Sequence, residues 1–147
     1  MHPLITAALL MCSTGDTAIA DKIAMEAARQ DTDLVVALTI GLMESGYQSG
    51  NPMGVRGCYP QAKKKTHRTD NDCIRIGVTS IHNRLWDAHT SMPIVADIKR
   101  CSGTGNMRMC RALANYNNSP AKYTYAKKGM ALIRKFYKLA GISMPNT

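Results

Sequence analysis

After Asp97 the chain carries no acidic residue, and in all 147 residues it has only two glutamates, Glu26 and Glu44. Aromatic residues are nearly as scarce: one Trp, one Phe and six Tyr. Single-stranded nucleic acid is usually held on exposed aromatic platforms, and few are available here. The basic run "QAKKKTHR" stands alone, with no zinc-finger spacing and no RNP-like pattern around it. Nucleic acid is therefore not the expected partner. No apolar run reaches the roughly 18–20 residues that cross a bilayer, so no transmembrane segment is expected. There is no CxxC among the five cysteines and no HxxxH or HExxH among the four histidines. A metal site is not expected on those grounds, and nothing calls for a cofactor.

The N-terminal "PLITAALLMC" resembles the apolar region of a signal peptide, but only His2 precedes it and no small-x-small cleavage site follows. Met11 before Cys12 is wrong for a lipoprotein signal. A first core helix over residues 3–12 is the expectation.

What is present is lopsided charge. Residues 1–57 hold three Lys/Arg against six Asp/Glu, a balance of −3; residues 58–147 hold sixteen against four, +12, within an overall +9. A cationic half of this size attracts an anionic polymer or surface, cell-wall polymer included, or else serves as a solubilising face. The length suits one domain, 1–147, with a core of its own. Cys58 and Cys73 would bracket the basic loop, and Cys101 and Cys110 would close "CSGTGNMRMC". Each bridge would restrict a loop with little else to hold it, although sequence leaves reduced cysteines open. Cys12 would be the unpaired one.

The pattern is mainly helical. A helix fits 17–30, capped by Asp16 or Thr17, with Ile19, Ile23, Ala24 and Ala27 on one face. Another fits 33–45, capped by Thr32 or Asp33; it is apolar almost all round, as central buried helices are. Turn signals fill 46–77 and predict a small hairpin or irregular lobe. "IRIGVTSIHNRLWDAH" predicts a strand entering a helix. Pro93 lies near the start of the helix-like "IVADIKRC", and "NMRMCRALANYN" predicts a helix ending near Tyr116. The last helix is expected to start at Ser119 as cap with Pro120 at the first helical position, to bury Ala126, Met130, Ile133 and Tyr137, and to leave at Gly141.

Glu44 closes the most apolar helix. A carboxyl surrounded by low-polarity material holds its proton to higher pH, as a general acid must. Pointing into water, it would be only a helix-terminal charge. Its flanks add to the pattern. "MESGYQSGNP" places Ser45 directly after the carboxylate and Tyr47 just beyond, and about seventy residues later comes "LANYNNSP".

This pairing resembles the lysozyme-like lytic transglycosylases, the soluble lytic transglycosylase and goose-type lysozyme group. In that family a helix ends in Glu-Ser before an aromatic and a Pro/Asn loop. A glycine-rich strand with Gly-Leu-Met-Gln follows, then Ala-Tyr-Asn before Gly-Pro. Glu44-Ser45 with Tyr47 matches the first motif, "IGVTSI" stands where the second belongs, and "LANYNNSP" matches the third. The likeness covers about residues 17–140. It departs at the second motif, where Thr79 or Ser80 replaces Gln, at a basic insertion of about 60–73, and at Ser119, which replaces Gly.

The resemblance implies a lysozyme-like α+β domain acting on peptidoglycan glycan strands. Glu44 would be the catalytic acid and base. Ser45, Tyr47, Thr79, Ser80, Tyr116 and Asn117 would bind substrate or orient the acid, with Tyr59 as a further groove residue. A hydrolase on the same fold would need a second carboxylate; Asp70 and Asp72 are the first candidates, with Asp87 and Asp97 behind them. The short chain is similar to bacteriophage products, either virion-associated, beside other virion proteins, or a lysis enzyme, acting in the host periplasm or wall. A bacterial enzyme, or a non-catalytic virion or wall-binding protein that keeps the fold, are the alternatives. A Cys/His nucleophile pair drawn from Cys58 or Cys73 with His67 or His82 has no local signature to support it. Trp86 is expected to pack near the cleft.

Overall fold

The structure, a computed structural model, describes residues 16–58 and 68–146. The expected helix at 3–12, Cys12, Tyr59, His67 and most of the basic insertion lie outside the described residues. Among the described residues six helices follow in chain order: α1 (Thr17–Arg29), α2 (Leu34–Ser45), α3 (Asp70–Thr90), α4 (Val95–Cys101), α5 (Met107–Asn117) and α6 (Lys122–Ala140).

Helix α2 is the centre. It packs against α1, α3, α5 and α6, and an unbroken run from Val35 to Gly41 is buried. Such a run satisfies no single amphipathic face, so it is stable only with neighbours on several sides. The Asp33 side chain caps its start by accepting from Val36 N at 3.1 Å. Gly46 ends it in the left-handed conformation, which lacks a Cβ penalty for glycine. Helix α1 is capped by Asp16 and buries the expected Ile19, Ile23, Ala24 and Ala27. Gly41 lets α1 approach α2 closely: a Cβ there would lie 2.7 Å from the Ile23 side chain.

Among the described residues there is no strand, so the strand expected at "IRIGV" is corrected; of the hairpin or irregular lobe expected over 46–77, residues 46–58 take the irregular form and 59–67 lie outside the described residues. Residues 46–58 form turns, and 70–90 is one long helix. The alternation of Ile74, Ile76 and Val78 mimics a strand over five residues. Over the whole segment the helical period wins, because Ile74, Gly77, Val78, Ile81, Leu85 and Ala88 form one buried stripe. Thr69 and Asp72 fix its start as a capping box.

The final helix begins later than expected. Ser119 and Pro120 belong to a preceding turn, in which Ser119 O accepts from Lys122 N and Ser119 Oγ from Ala121 N. The buried face is Ala126, Met130, Ile133 and Tyr137, with Gly129 and Phe136, and Gly141 closes the helix.

Disulfides join Cys58 to Cys73 and Cys101 to Cys110. The first ties the turn region to α3; the second ties α4 to α5. A buried ion pair reinforces the second junction. Arg111 Nε meets Asp97 Oδ2 at 3.2 Å, and its other nitrogens donate to Ala88, Ser91 and Met92. Asp97 also accepts from Tyr123 at 2.7 Å.

Candidate active site

Glu44 sits in the last turn of α2, half-buried. Tyr125 on α6 donates its hydroxyl proton to Glu44 Oε1 at 2.9 Å. Gly54 covers the other oxygen: a Cβ there would fall 2.0 Å from Oε2. One side of the carboxylate thus meets backbone rather than a side chain.

The turn carrying Gly54 is tightly held. Gly54 N donates to Asn51 O at 3.2 Å, and the Asn51 side chain exchanges two hydrogen bonds with the Val55 backbone. Tyr116 at the end of α5 donates to Met53 O. Helix α3 reaches the same turn at Gly77, where a Cβ would lie 2.5 Å from the Met53 side chain. Glu44, Gly54, Met53, Gly77, Tyr116 and Tyr125 therefore form one cluster from five parts of the chain.

Burial pushes the Glu44 carboxyl above the usual carboxylate range, and the Tyr125 hydrogen bond pulls it part of the way back. Its place at a helix C-terminus, the negative end of the macrodipole, also disfavours the charge. Burial raises the Tyr125 phenol as well, the Glu44 charge raises it further, and nearby Tyr116 adds to this. Tyr125 therefore stays a proton donor, with the carboxylate as its acceptor.

The other expected site residues divide sharply. Tyr116 belongs to the cluster. Ser45 follows Glu44, but its hydroxyl donates to Gly41 O and accepts from Gln48 N, so it braces the turn after α2. Asn117 accepts from Ser119 N at 3.2 Å and holds the loop before α6. Tyr47 is a core residue, 0% exposed, with its hydroxyl bonded to Leu38 O at 2.8 Å; it cannot serve as a sugar platform.

Thr79 also faces away. Its hydroxyl donates to Arg75 O and Gln30 Oε1, beside α1. A strand would have put residues 77 and 79 on one face, whereas a helix turns them about 200° apart. Ser80, one turn beyond Gly77, is half-buried on α3.

Three of the four candidate second carboxylates are engaged elsewhere. Both Asp70 oxygens are bonded, to Ser49 Oγ at 2.7 Å and Gly50 N at 2.8 Å. Asp72 accepts from Thr69 N in the capping box, Asp97 is in the buried ion pair, and Asp87 is exposed near the far end of α3. Of the proposed nucleophile cysteines, both are in a disulfide. His82 packs against Thr32. No group of three or more His, Cys, Asp or Glu among the described residues is arranged to hold a metal.

Sequence reasoning missed Tyr125, Gly54 and Gly77. The available signal was glycine placement. Gly129, four residues after Tyr125, lets α6 close onto Leu113 and Met43, where a Cβ would lie 2.8 and 3.0 Å away. That approach brings Tyr125, one turn earlier, to Glu44. No family model matches the chain, nor does any curated protein or solved structure.

Proposed function

We propose that this chain is a peptidoglycan lytic transglycosylase with a lysozyme-like site, in which Glu44 cleaves the bond between N-acetylmuramic acid and N-acetylglucosamine. The observation that carries this reading is the half-buried Glu44 carboxyl, raised in pKa, bonded by Tyr125 and bordered by Gly54. Glu44 gives its proton to the bridging oxygen as the C1–O bond breaks. It then takes the proton from the muramic 6-hydroxyl as that oxygen bonds to C1. The product is a 1,6-anhydro sugar, no water is consumed, and Glu44 ends protonated as it began. Tyr125 and Tyr116 are positioning residues, one on the carboxylate and one on the turn facing it.

A single carboxylate suffices because the nucleophile is the substrate's own hydroxyl, whereas two-carboxylate glycosidases need a partner acid. The engagement of both Asp70 oxygens and the capping role of Asp72 favour that mechanism over hydrolysis. Two disulfides suit an oxidising compartment such as the periplasm. The excess of Lys and Arg in the second half suits an anionic wall. A phage origin, in a virion or as a lysis enzyme, fits these features.

The test is zymography on purified wall followed by mass spectrometry of the released fragments. Wild type should clear the wall and leave anhydro ends; Glu44→Gln should stay folded and clear nothing. Reducing ends would instead mark a hydrolase. Binding without clearing by the wild type would make the chain a wall-binding protein.

A further inference from the structure

A cleft of about 460 Å3 opens at the other end of α2. Asp33, which lines it, caps the first turn of α2, and Glu44 lies in the last turn. Eleven residues of helix place the two roughly 16 Å apart. The cleft is therefore separate from the cluster around Glu44.

One wall is Trp86, the chain's only tryptophan, which is 60% exposed. It lies off the buried stripe of α3, so the core does not explain an indole at this position. Around it stand two carboxylates, Asp31 and Asp33, and two nitrogen bases, His82 and Arg108. The bases are anchored. Thr32 Oγ1 lies 3.1 Å from His82 Nδ1, and Arg108 Nε donates to Leu85 O at 3.1 Å. The terminal guanidinium nitrogens of Arg108 have no acceptor among the described residues.

Asp31 has an unusual backbone. It sits just after α1 at φ +52, where its N–H bonds Ala28 O and Thr32 N bonds Ala27 O. This is a Schellman ending, and glycine is the residue that fits it at least cost. The chain carries a carboxylate there instead, and that carboxylate borders the cleft. An unfavourable backbone conformation kept at a cleft is a pointer to function.

We propose that this cleft is a second binding site, for a neutral saccharide. A pyranose offers a C–H face that packs on an indole and a rim of hydroxyls that donate to carboxylates and accept from guanidinium and imidazole. The two signs of charge stand together here, so the cleft sets up no strong field for a phosphate or an acidic polymer. The inference rests on the cleft and not on the chemistry of Glu44. If the chain also cuts wall glycan, the site gives it a second hold on the same polymer.

The test uses Trp86 emission, which reports this cleft alone because no other tryptophan exists. The full chain, as wild type and as Glu44→Gln, is titrated with chitotetraose. A saturable change in emission is expected in both, with Kd values within twofold of each other. Asp31→Asn, which tolerates the same backbone, should weaken Kd by about tenfold, the scale of one lost hydrogen bond to a charged group. No saturable change at millimolar sugar would overturn the proposal. So would an unchanged Kd in Asp31→Asn, or loss of the signal in Glu44→Gln. Saturation in Glu44→Gln with no wall clearing by the wild type would leave the cleft standing and remove the enzyme reading; clearing without saturation would do the reverse.

Discussion

Gly54→Ala is the sharpest probe of the cluster. The substitution adds one methyl carbon at a residue with φ +65, and that carbon would sit 2.0 Å from Glu44 Oε2 and 2.5 Å from its Cδ. Two effects separate cleanly. The left-handed backbone costs a non-glycine residue about 1–2 kcal/mol. The overlap must be relieved by moving the carboxylate, which breaks its bond to Tyr125. Loss of that bond costs stability, and release of the carboxylate from its half-buried place returns part of it, so the net loss stays near the backbone value. On the proposed function activity would behave differently, because a catalytic group misplaced by about 1 Å costs about a hundredfold. Gly57→Ala is the matched control. Gly57 has φ +89 and nothing among the described residues within 4 Å of an added Cβ, so it carries the backbone cost without the collision. Urea unfolding should show similar losses for both variants. Wall-clearing assays should show near-normal activity for Gly57→Ala and a loss of about two orders of magnitude for Gly54→Ala. Equal clearing by the two would mean that the position of Glu44 against this turn is irrelevant, and the argument for the site would fail.

Tyr125→Phe removes the hydrogen bond that holds the Glu44 carboxyl down, so the pKa should rise further and the alkaline limb of the activity profile should move to higher pH; a limb that stays in place or moves down would contradict the assignment. Glu44→Gln should be more stable than wild type at neutral pH. A carboxyl raised in the folded state binds its proton more tightly there than in the unfolded chain, so wild type loses stability as pH rises from the unfolded pKa through the folded one. The advantage of the variant should vanish below about pH 4, as thermal melts across pH would show. Arg111→Ala leaves Asp97 buried without its partner and should cost about 3–5 kcal/mol in denaturant unfolding; a loss under 1 kcal/mol would show that the pair holds nothing together.

Much of the helical frame was legible because it rests on signals that act within a few residues. Asp16, Asp33 and Asn106 each cap a helix with their own side chain, and Gly141 ends the last one in the conformation that suits glycine. The all-apolar face of residues 34–43 could be satisfied only at the centre of a domain. The strand expected at 74–78 failed for a reason of scale. Five alternating residues carry a period of two, but the capping box at Thr69 and the stripe through Ala88 extend over four times that length.

The candidate site was legible at Glu44, where the apolar run stops, and at Tyr116, through "LANYNNSP". The partners of Glu44 lie at residues 54, 77, 116 and 125, and no local period links them. What brings them together is missing side-chain volume at glycines. Gly54 admits the Glu44 carboxylate, Gly77 admits Met53, and Gly129 admits Leu113 and Met43. Two of these glycines lie inside helices, where each costs about 1 kcal/mol against alanine. A helix that carries such a cost on its buried face marks a place where another segment must come close, and α3 and α6 carry it opposite the turn and the helix end that hold Glu44. Sequence can therefore show where close approaches occur, whereas which side chain fills the space depends on the fold. That is why Tyr125, one turn from Gly129, reads as part of a lysine-rich surface until α6 is packed against α2.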